Sequence, residues 1–170
     1  MAEAVRENTG MMPKLWGPLS PLALSLAVLV FASDQLHKWW MLYIFDINEK
    51  KLYTVTPFFD LILVWNQGVS YGLLKSHTQG LLIAISLIIT AVLWIWSCRS
   101  KRVLAVAALG LVIGGALGNA LDRFLYGAVA DFFHLHWGSW SWYVFNVADV
   151  AIVAGVGLLL YESFTERSAG

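Results

Sequence analysis

The stretch VLAVAALGLVIGGALGNALDR, residues 103–123, decides the fold. From Val103 to Leu121 it carries no charge, and at about 1.5 Å of rise per residue a helix of this length approaches the ~30 Å hydrocarbon thickness of a bilayer. Gly110, Gly114 and Gly118 recur every four residues, so they share one side of that helix and let another helix approach closely. The stretch predicts a transmembrane helix whose glycines serve packing.

The rest of the chain has the same character: 59% of its 170 residues are hydrophobic and only 13% are charged, too apolar for a soluble domain. Besides residues 103–121, apolar segments cover about residues 19–39, 81–98 and 144–161. We predict helices for all four, because strands would leave unpaired edges in lipid. The expected domain organisation is a single integral membrane domain, residues 1–170, with outer loops at about 40–80 and 122–143.

The first span has an alternative interpretation. Lys14, the apolar run 22–31 and the small pair Ala32-Ser33 also fit a cleaved secretory signal. An uncleaved span is favoured, because the remaining chain is itself apolar and four crossings give an even number.

The short loop CRSKR, residues 98–102, sets the orientation, since short basic loops face the cytoplasm. Both termini are then cytoplasmic, and the two long loops lie outside. Balanced charge, eleven basic and eleven acidic residues, argues against a nucleic-acid partner. Cys98 is the only cysteine, so it can form no internal disulfide.

The first outer loop contains KLYTVTPFFDLILVW, residues 51–65, which is rich in β-branched and aromatic residues and broken by Pro57. This composition predicts short strands with a turn. The expected fold class is therefore a membrane protein, mainly α, with four transmembrane helices and a small extracytoplasmic β cradle between helices 1 and 2.

Polar side chains that border the apolar runs are the main clue to function, because such groups are costly in lipid. Asn119 and Asp122 share a helix face. For Asp122 an ion pair with Arg123 or Lys38 competes with a direct catalytic role.

The fourth span begins FNVAD, residues 145–149. A helix-capping role suits Asn146. If the helix starts at Val144, Asp149 lies about 7–8 Å inside it and is too deep to cap.

Asp131, in the second outer loop, and Asp149 most resemble an acid–base couple. Neighbouring carboxylates share a proton, so one can act as a general base on water while the other acts as a general acid. A pair of structural aspartates is the alternative that spacing alone leaves open.

Other site types receive less support. His134 and His136 would point the same way on a strand and could bind zinc, but no third ligand is evident, so two interfacial histidines are the preferred interpretation. A transporter would distribute ionisable residues through the bilayer, and a scaffold would not explain the aspartates.

Five ordered motifs resemble the bacterial lipoprotein signal peptidases, also called signal peptidase II. They are DQLHK at 34–38, NQGVSY at 66–71, GGALGNALDR at 114–123, VADF at 129–132 and FNVAD at 145–149. Residues 69–72, VSYG, depart from the more common AAFS of the family.

The resemblance implies an intramembrane aspartyl endopeptidase that cleaves diacylglyceryl-modified prolipoproteins before the lipidated cysteine. Asp131 and Asp149 would be catalytic. Substrate positioning and site stabilisation would fall to Asn66, Gly68, Asn119, Arg123 and Asn146, and structural support to Asp34, Lys38 and Asp122.

Partners and location follow from the same resemblance. The expected partners are diacylated prolipoproteins and membrane lipid, the chain is expected to be a monomer, and no cofactor or metal is expected. The expected location is the bacterial cytoplasmic (inner) membrane, with the active site near the outer leaflet.

Overall fold

A computed structural model describes residues 15–68 and 78–167 of the chain. Tyr71 and the departure at 69–72 lie outside these residues. The elements in chain order are α1 (Ser20–Trp39), a π-helical turn (Trp40–Ile44), α2 (Ile47–Lys50), β1 (Leu52–Thr56), β2 (Phe59–Asn66), α3 (Thr78–Arg99), α4 (Val103–Tyr126), β3 (Val129–Trp137), β4 (Trp140–Ser141) and α5 (Val147–Arg167).

Helix α4 is central and packs against α1, α3 and α5. Its apolar segment is 67% buried, against 11% for those of α3 and α5. Within the described residues, three helices are long and apolar enough to cross a membrane: Gln79–Arg99, Val103–Tyr126 and Val147–Thr165. Helix α1 is of similar length, but its last turns carry the polar residues from Asp34 to Lys38.

The glycine stripe of α4 faces α1, as its spacing predicts. A Cβ on Gly110 would lie 2.7 Å from the carbonyl oxygen of Ala23, and one on Gly114 would lie 2.5 Å from that of Ala27. A Cβ on Gly118 would lie 2.7 Å from a carboxylate oxygen of α1. Any side chain there would separate the helices, so the packing role is confirmed.

Helix α4 is longer than hydropathy predicts: it ends at Tyr126 and not at Leu121. Gly127 ends it in the left-handed conformation (φ 69°), donating its N–H to the carbonyl of Arg123 at 3.1 Å. Hydropathy identified where apolar residues stop, whereas the helix stops at the first residue suited to a C-terminal cap.

Helix α5 begins at Val147, three residues after the predicted Val144. The residues before it remain extended, because Phe145 pairs with Phe133 of β3 through hydrogen bonds of 2.8 and 3.1 Å. This later start changes the position of Asp149 in the helix.

The four strands form one antiparallel sheet in the order β1-β2-β3-β4. The strands predicted within residues 51–65 are confirmed as β1 and β2. The sheet is larger than predicted, because β3 and β4 come from the chain between α4 and α5. The π-helical turn and α2 pack beneath it around Met41, Ile47 and Phe132.

Candidate active site

Asp131 is the third residue of strand β3 and lies close to the C-terminal end of α4. Asp131 lies opposite Val64 of β2, and Asn66, two residues further along β2, donates its side-chain amide to Asp131 Oδ2 at 3.0 Å. Gly68 (φ 83°) donates its backbone N–H to Asn66 Oδ1 at 2.9 Å, which fixes the direction of that amide. Asp131 is only 1% exposed.

Asn146 and Asp149 form a reciprocal cap at the start of α5. Asn146 Oδ1 accepts the backbone N–H of Asp149 at 2.9 Å, and Asp149 Oδ2 accepts the backbone N–H of Asn146 at 3.2 Å. This is a capping-box arrangement. The capping role of Asn146 is confirmed, but the prediction that Asp149 lies too deep to cap is wrong, because the helix starts at Val147.

Two amide side chains connect Asp131 to Asp149. Asn146 Nδ2 donates to Asp131 Oδ1 at 2.7 Å and to Asn119 Oδ1 at 3.1 Å. Asn119 Nδ2 in turn donates to Asp149 Oδ1 at 2.9 Å. The three chain segments that carry these residues are therefore joined in one hydrogen-bonded network.

The environment of Asp131 favours its protonated form. Burial raises the pKa of Asp131 from 3.8 to about 6, and the nearby charge of Asp149 also raises it. Hydrogen bonds from Asn66 and Asn146, together with the charge of Lys38, act in the opposite direction. A carboxyl group of this kind exchanges a proton close to neutral pH.

Beneath this network lies a buried ion cluster on α1 and α4. Lys38 Nζ lies 2.8 Å from Asp34 Oδ2 and 2.7 Å from Asp122 Oδ2, and both carboxylate side chains are fully buried. The predicted pairing of Asp122 with Lys38 is confirmed. Arg123 instead donates to the backbone carbonyl of Asn119 at 3.2 Å.

Each carboxylate of the cluster also accepts a backbone N–H from a neighbouring element. Asp34 Oδ1 accepts that of Ala148 at 3.0 Å, and Asp122 Oδ2 accepts that of Ala130 at 3.1 Å. The cluster therefore binds the start of α5 and the start of β3 to the helices.

Gln35 is a site residue to which sequence reasoning gave no role. Its Nε2 lies within hydrogen-bond distance of Asp34 Oδ2 at 3.1 Å, Asp122 Oδ1 at 3.0 Å and the carbonyl of Gly118 at 3.3 Å. Its position inside the first motif, beside Asp34, is the sequence feature that could have indicated a role in the site.

Arg123 contributes a positive charge near the aspartates, and it interacts electrostatically with Asp131 and Asp149. Its Nε is buried and has no hydrogen-bond partner within residues 15–68 and 78–167. This N–H is therefore available to an incoming acceptor.

The two histidines lie elsewhere on the sheet, and the expectation that no third ligand is near them is wrong. Asp60 of β2 joins His134 and His136 in a cluster that could hold a metal ion. A lone carboxylate within the apolar run of residues 57–65 was the sequence signal that could have revealed it.

The fold and site together define a class: a helical membrane enzyme with two aspartates joined through buried amides at one end of its helices. The family model described as Signal peptidase (SPase) II matches residues 26–165. The chain belongs to the signal peptidase II family and is accordingly a membrane protease.

Similar proteins agree in sequence and in structure. A lipoprotein signal peptidase of Methylocella silvestris is 46% identical over 168 residues, covering 94% of this chain and 92% of the relative. One from Nitrobacter hamburgensis is 51% identical over 150 residues, covering 84% and 92%. A solved bacterial membrane enzyme superposes with a TM-score of 0.75 at 27% identity, covering 93% of this chain and 95% of that one.

Proposed function

We propose that this protein removes signal peptides from diacylglyceryl-modified prolipoproteins by aspartic chemistry, cutting before the lipidated cysteine, with Asp131 and Asp149 as the catalytic pair. The observation that carries the proposal is the amide bridge through Asn146 and Asn119, which ties the two carboxylates into one network. Family membership supplies the substrate class.

The proposed reaction needs one ionised and one protonated carboxyl group. The ionised group removes a proton from water as the water oxygen bonds to the scissile carbonyl carbon, and the protonated group gives its proton to the carbonyl oxygen. Collapse of the tetrahedral intermediate breaks the carbon–nitrogen bond. The proton on the former carbonyl oxygen returns to the carboxylate that gave it, and the proton taken from water passes to the leaving amine, so both carboxyl groups are restored. The raised pKa of Asp131, about 6, lets it hold a proton in mildly acidic solution and exchange that proton close to neutral pH.

Residues around the pair have supporting roles in this proposal. Asn66, Gly68, Asn119, Arg123 and Asn146 position the substrate backbone and stabilise the carboxylates. Support for this comes from the direct amide contacts to Asp131 and Asp149 and from the Nε of Arg123, which has no hydrogen-bond partner in the part of the chain that the structure describes.

A second group of residues has an indirect, structural role in this proposal. Asp34, Lys38 and Asp122 brace the site, since their ion pairs are buried and they also contact the side chains of Gln35 and Asn119 and two backbone N–H groups.

The proposed topology places the whole chain in the membrane as a single domain with four crossings. Helix α1 would be the fourth crossing, because it is 20 residues long and packs along α4. Both termini then lie in the cytoplasm, the sheet and the site lie near the outer leaflet, and the protein works as a monomer surrounded by lipid. The basic loop at 99–102 supports this orientation.

The direct test is cleavage of a diacylated model prolipoprotein by the purified protein in detergent. Asp131→Asn and Asp149→Asn keep side-chain size but remove the titratable proton, so each should lower kcat by about 10²–10⁴-fold while substrate binding persists. Asp46→Asn, the same change in a turn outside the network, is the matched control. Turnover at the wild-type rate in either active-site variant would exclude the proposed pair.

A further inference from the structure

A cluster of metal-ligating side chains lies on β2 and β3, at the end of this strand pair that is further from Asp131. Asp60 of β2 lies directly opposite His134 of β3, and His136 follows two residues later, so strand alternation places all three side chains on one face. Their ligand atoms all lie within 4.8 Å of one another.

Three atoms of this cluster are buried without hydrogen bonds to any residue that the structure describes: Asp60 Oδ1, His134 Nδ1 and His136 Nε2. The Asp60 side chain is only 10% exposed. His136 Nε2 approaches Asp60 Oδ2 to 2.9 Å, but the two groups do not align as a hydrogen bond. The charge of this buried carboxylate is compensated only if a histidine is protonated or if a cation lies between the three side chains.

Ser141 contacts one nitrogen of His134 and favours one tautomer of the ring. Its hydroxyl lies 2.7 Å from His134 Nε2 and 3.4 Å from the carbonyl of Trp142, and when the hydroxyl donates to that carbonyl its oxygen accepts a hydrogen bond from the Nε2–H of His134. With Nε2 carrying the proton, the neutral ring presents an unprotonated Nδ1. That atom lies 3.8 Å from Asp60 Oδ2, on the side of the ring facing the cluster.

We propose that Asp60, His134 and His136 form a binding site for a zinc-class divalent cation. Two imidazole nitrogens with one carboxylate oxygen suit zinc and not magnesium or calcium, which take oxygen ligands. Ligand atoms of a tetrahedral zinc site lie about 3.3 Å apart, as bond lengths of about 2.0–2.1 Å require. Small side-chain rotations are enough to close the cluster to that spacing. The fourth position is open to water.

The ion would hold β2 and β3 together at a position distant from the proposed catalytic pair. Asp131 is three residues before His134 on β3, about 10 Å along the strand, and its side chain projects from the opposite side. The ion would act on the same two strands that carry Asn66 and Asp131, so it would stabilise the sheet without touching substrate.

Zinc alone is the probe. The full-length protein, purified without tag histidines and stripped with a chelator, is titrated with zinc by calorimetry, and bound metal is counted by mass spectrometry. We expect a single ion per chain and a higher Tm with zinc, with no competition from magnesium. Asp60→Asn and His136→Gln each remove a ligand and should lower zinc affinity by more than about 100-fold, because loss of an outer partner alone costs about 10–100-fold.

Two further variants sharpen the test. Ser141→Ala should lower affinity by about 10–100-fold by freeing the His134 tautomer. Glu49→Gln, an equal change of charge on an exposed residue of α2, should leave it unchanged.

Failure of the wild-type protein to bind zinc, or equal binding by His136→Gln and wild type, would overturn the site. If Asp60→Asn does not fold, as judged by circular dichroism and gel filtration, His136→Gln decides alone. Unchanged affinity in Ser141→Ala would overturn Nδ1 as the ligand atom of His134.

Discussion

Replacing Asp131 with asparagine should lower kcat by about 10²–10⁴-fold and yet stabilise the protein increasingly as pH rises. The pKa of Asp131 is raised from 3.8 to about 6 in the folded state, so the folded protein holds this proton more tightly than the unfolded chain does. The resulting stabilisation is fully present below pH 3.8 and is lost as pH rises through about 6. Asparagine does not ionise, so the variant does not lose stability at this position as pH rises.

The size of the effect follows from the shift. About two pKa units at ~1.4 kcal/mol each give about 3 kcal/mol, and because Asp131 is 1% exposed, solvent screening reduces this little. Altered hydrogen bonding to Asn66 and Asn146 adds a constant offset that does not depend on pH. The difference in unfolding free energy between variant and wild type should therefore move by up to about 3 kcal/mol in favour of the variant between about pH 4 and pH 8.

The assay is thermal or denaturant unfolding of both proteins in one detergent across this pH range, paired with prolipoprotein cleavage. Asp46→Asn, measured alongside, should track the wild type in both readouts. A stability difference that stays constant with pH would refute the raised pKa, and persistent turnover would refute the catalytic role.

Four other outcomes are expected. Asp122→Asn should lower Tm more than it lowers the turnover of the folded fraction; a stable but inactive variant would assign Asp122 to the chemistry. Gly114→Ala should cost about 1–3 kcal/mol of stability by overpacking, whereas Gly157→Ala, with open space around it, should change stability by less than about 1 kcal/mol. An impermeant thiol reagent should label Ser139→Cys in intact cells or spheroplasts, and Ser100→Cys only after the membrane is opened. The native Cys98 is buried and should add little background labelling. The opposite pattern would invert the topology. Chelators should leave kcat unchanged, because the proposed aspartate mechanism uses no metal; inhibition reversed by zinc would contradict this.

Much of the fold could be predicted from the sequence, because lipid permits few alternatives to helices and because apolar runs mark them directly. The ends of the helices were harder to predict from the sequence. The end of α4 depended on the cap at Gly127 and the start of α5 on the pairing of Phe145 with β3, and neither feature changes the hydropathy.

The sequence also indicated which polar residues lie together in the structure, but not which hydrogen bonds connect them. Asp131 and Asp149 are joined through Asn146 and Asn119, a three-dimensional path that spacing could not reveal. Asp60 was missed because its partners are more than 70 residues away along the chain, and only strand register brings them together.

The buried cluster on α1 and α4 works as a spacer for the two aspartates. Asp34 holds the backbone N–H of Ala148, the residue just before Asp149, and Asp122 holds that of Ala130, the residue just before Asp131. Lys38 joins Asp34 to Asp122 at 2.8 and 2.7 Å, so one ammonium group sets the gap between two backbone anchors. Sliding of α1 against α4 would alter that gap and with it the separation of the two carboxyl groups. The geometry of the proposed catalytic pair would then depend on α1, a helix that carries neither aspartate.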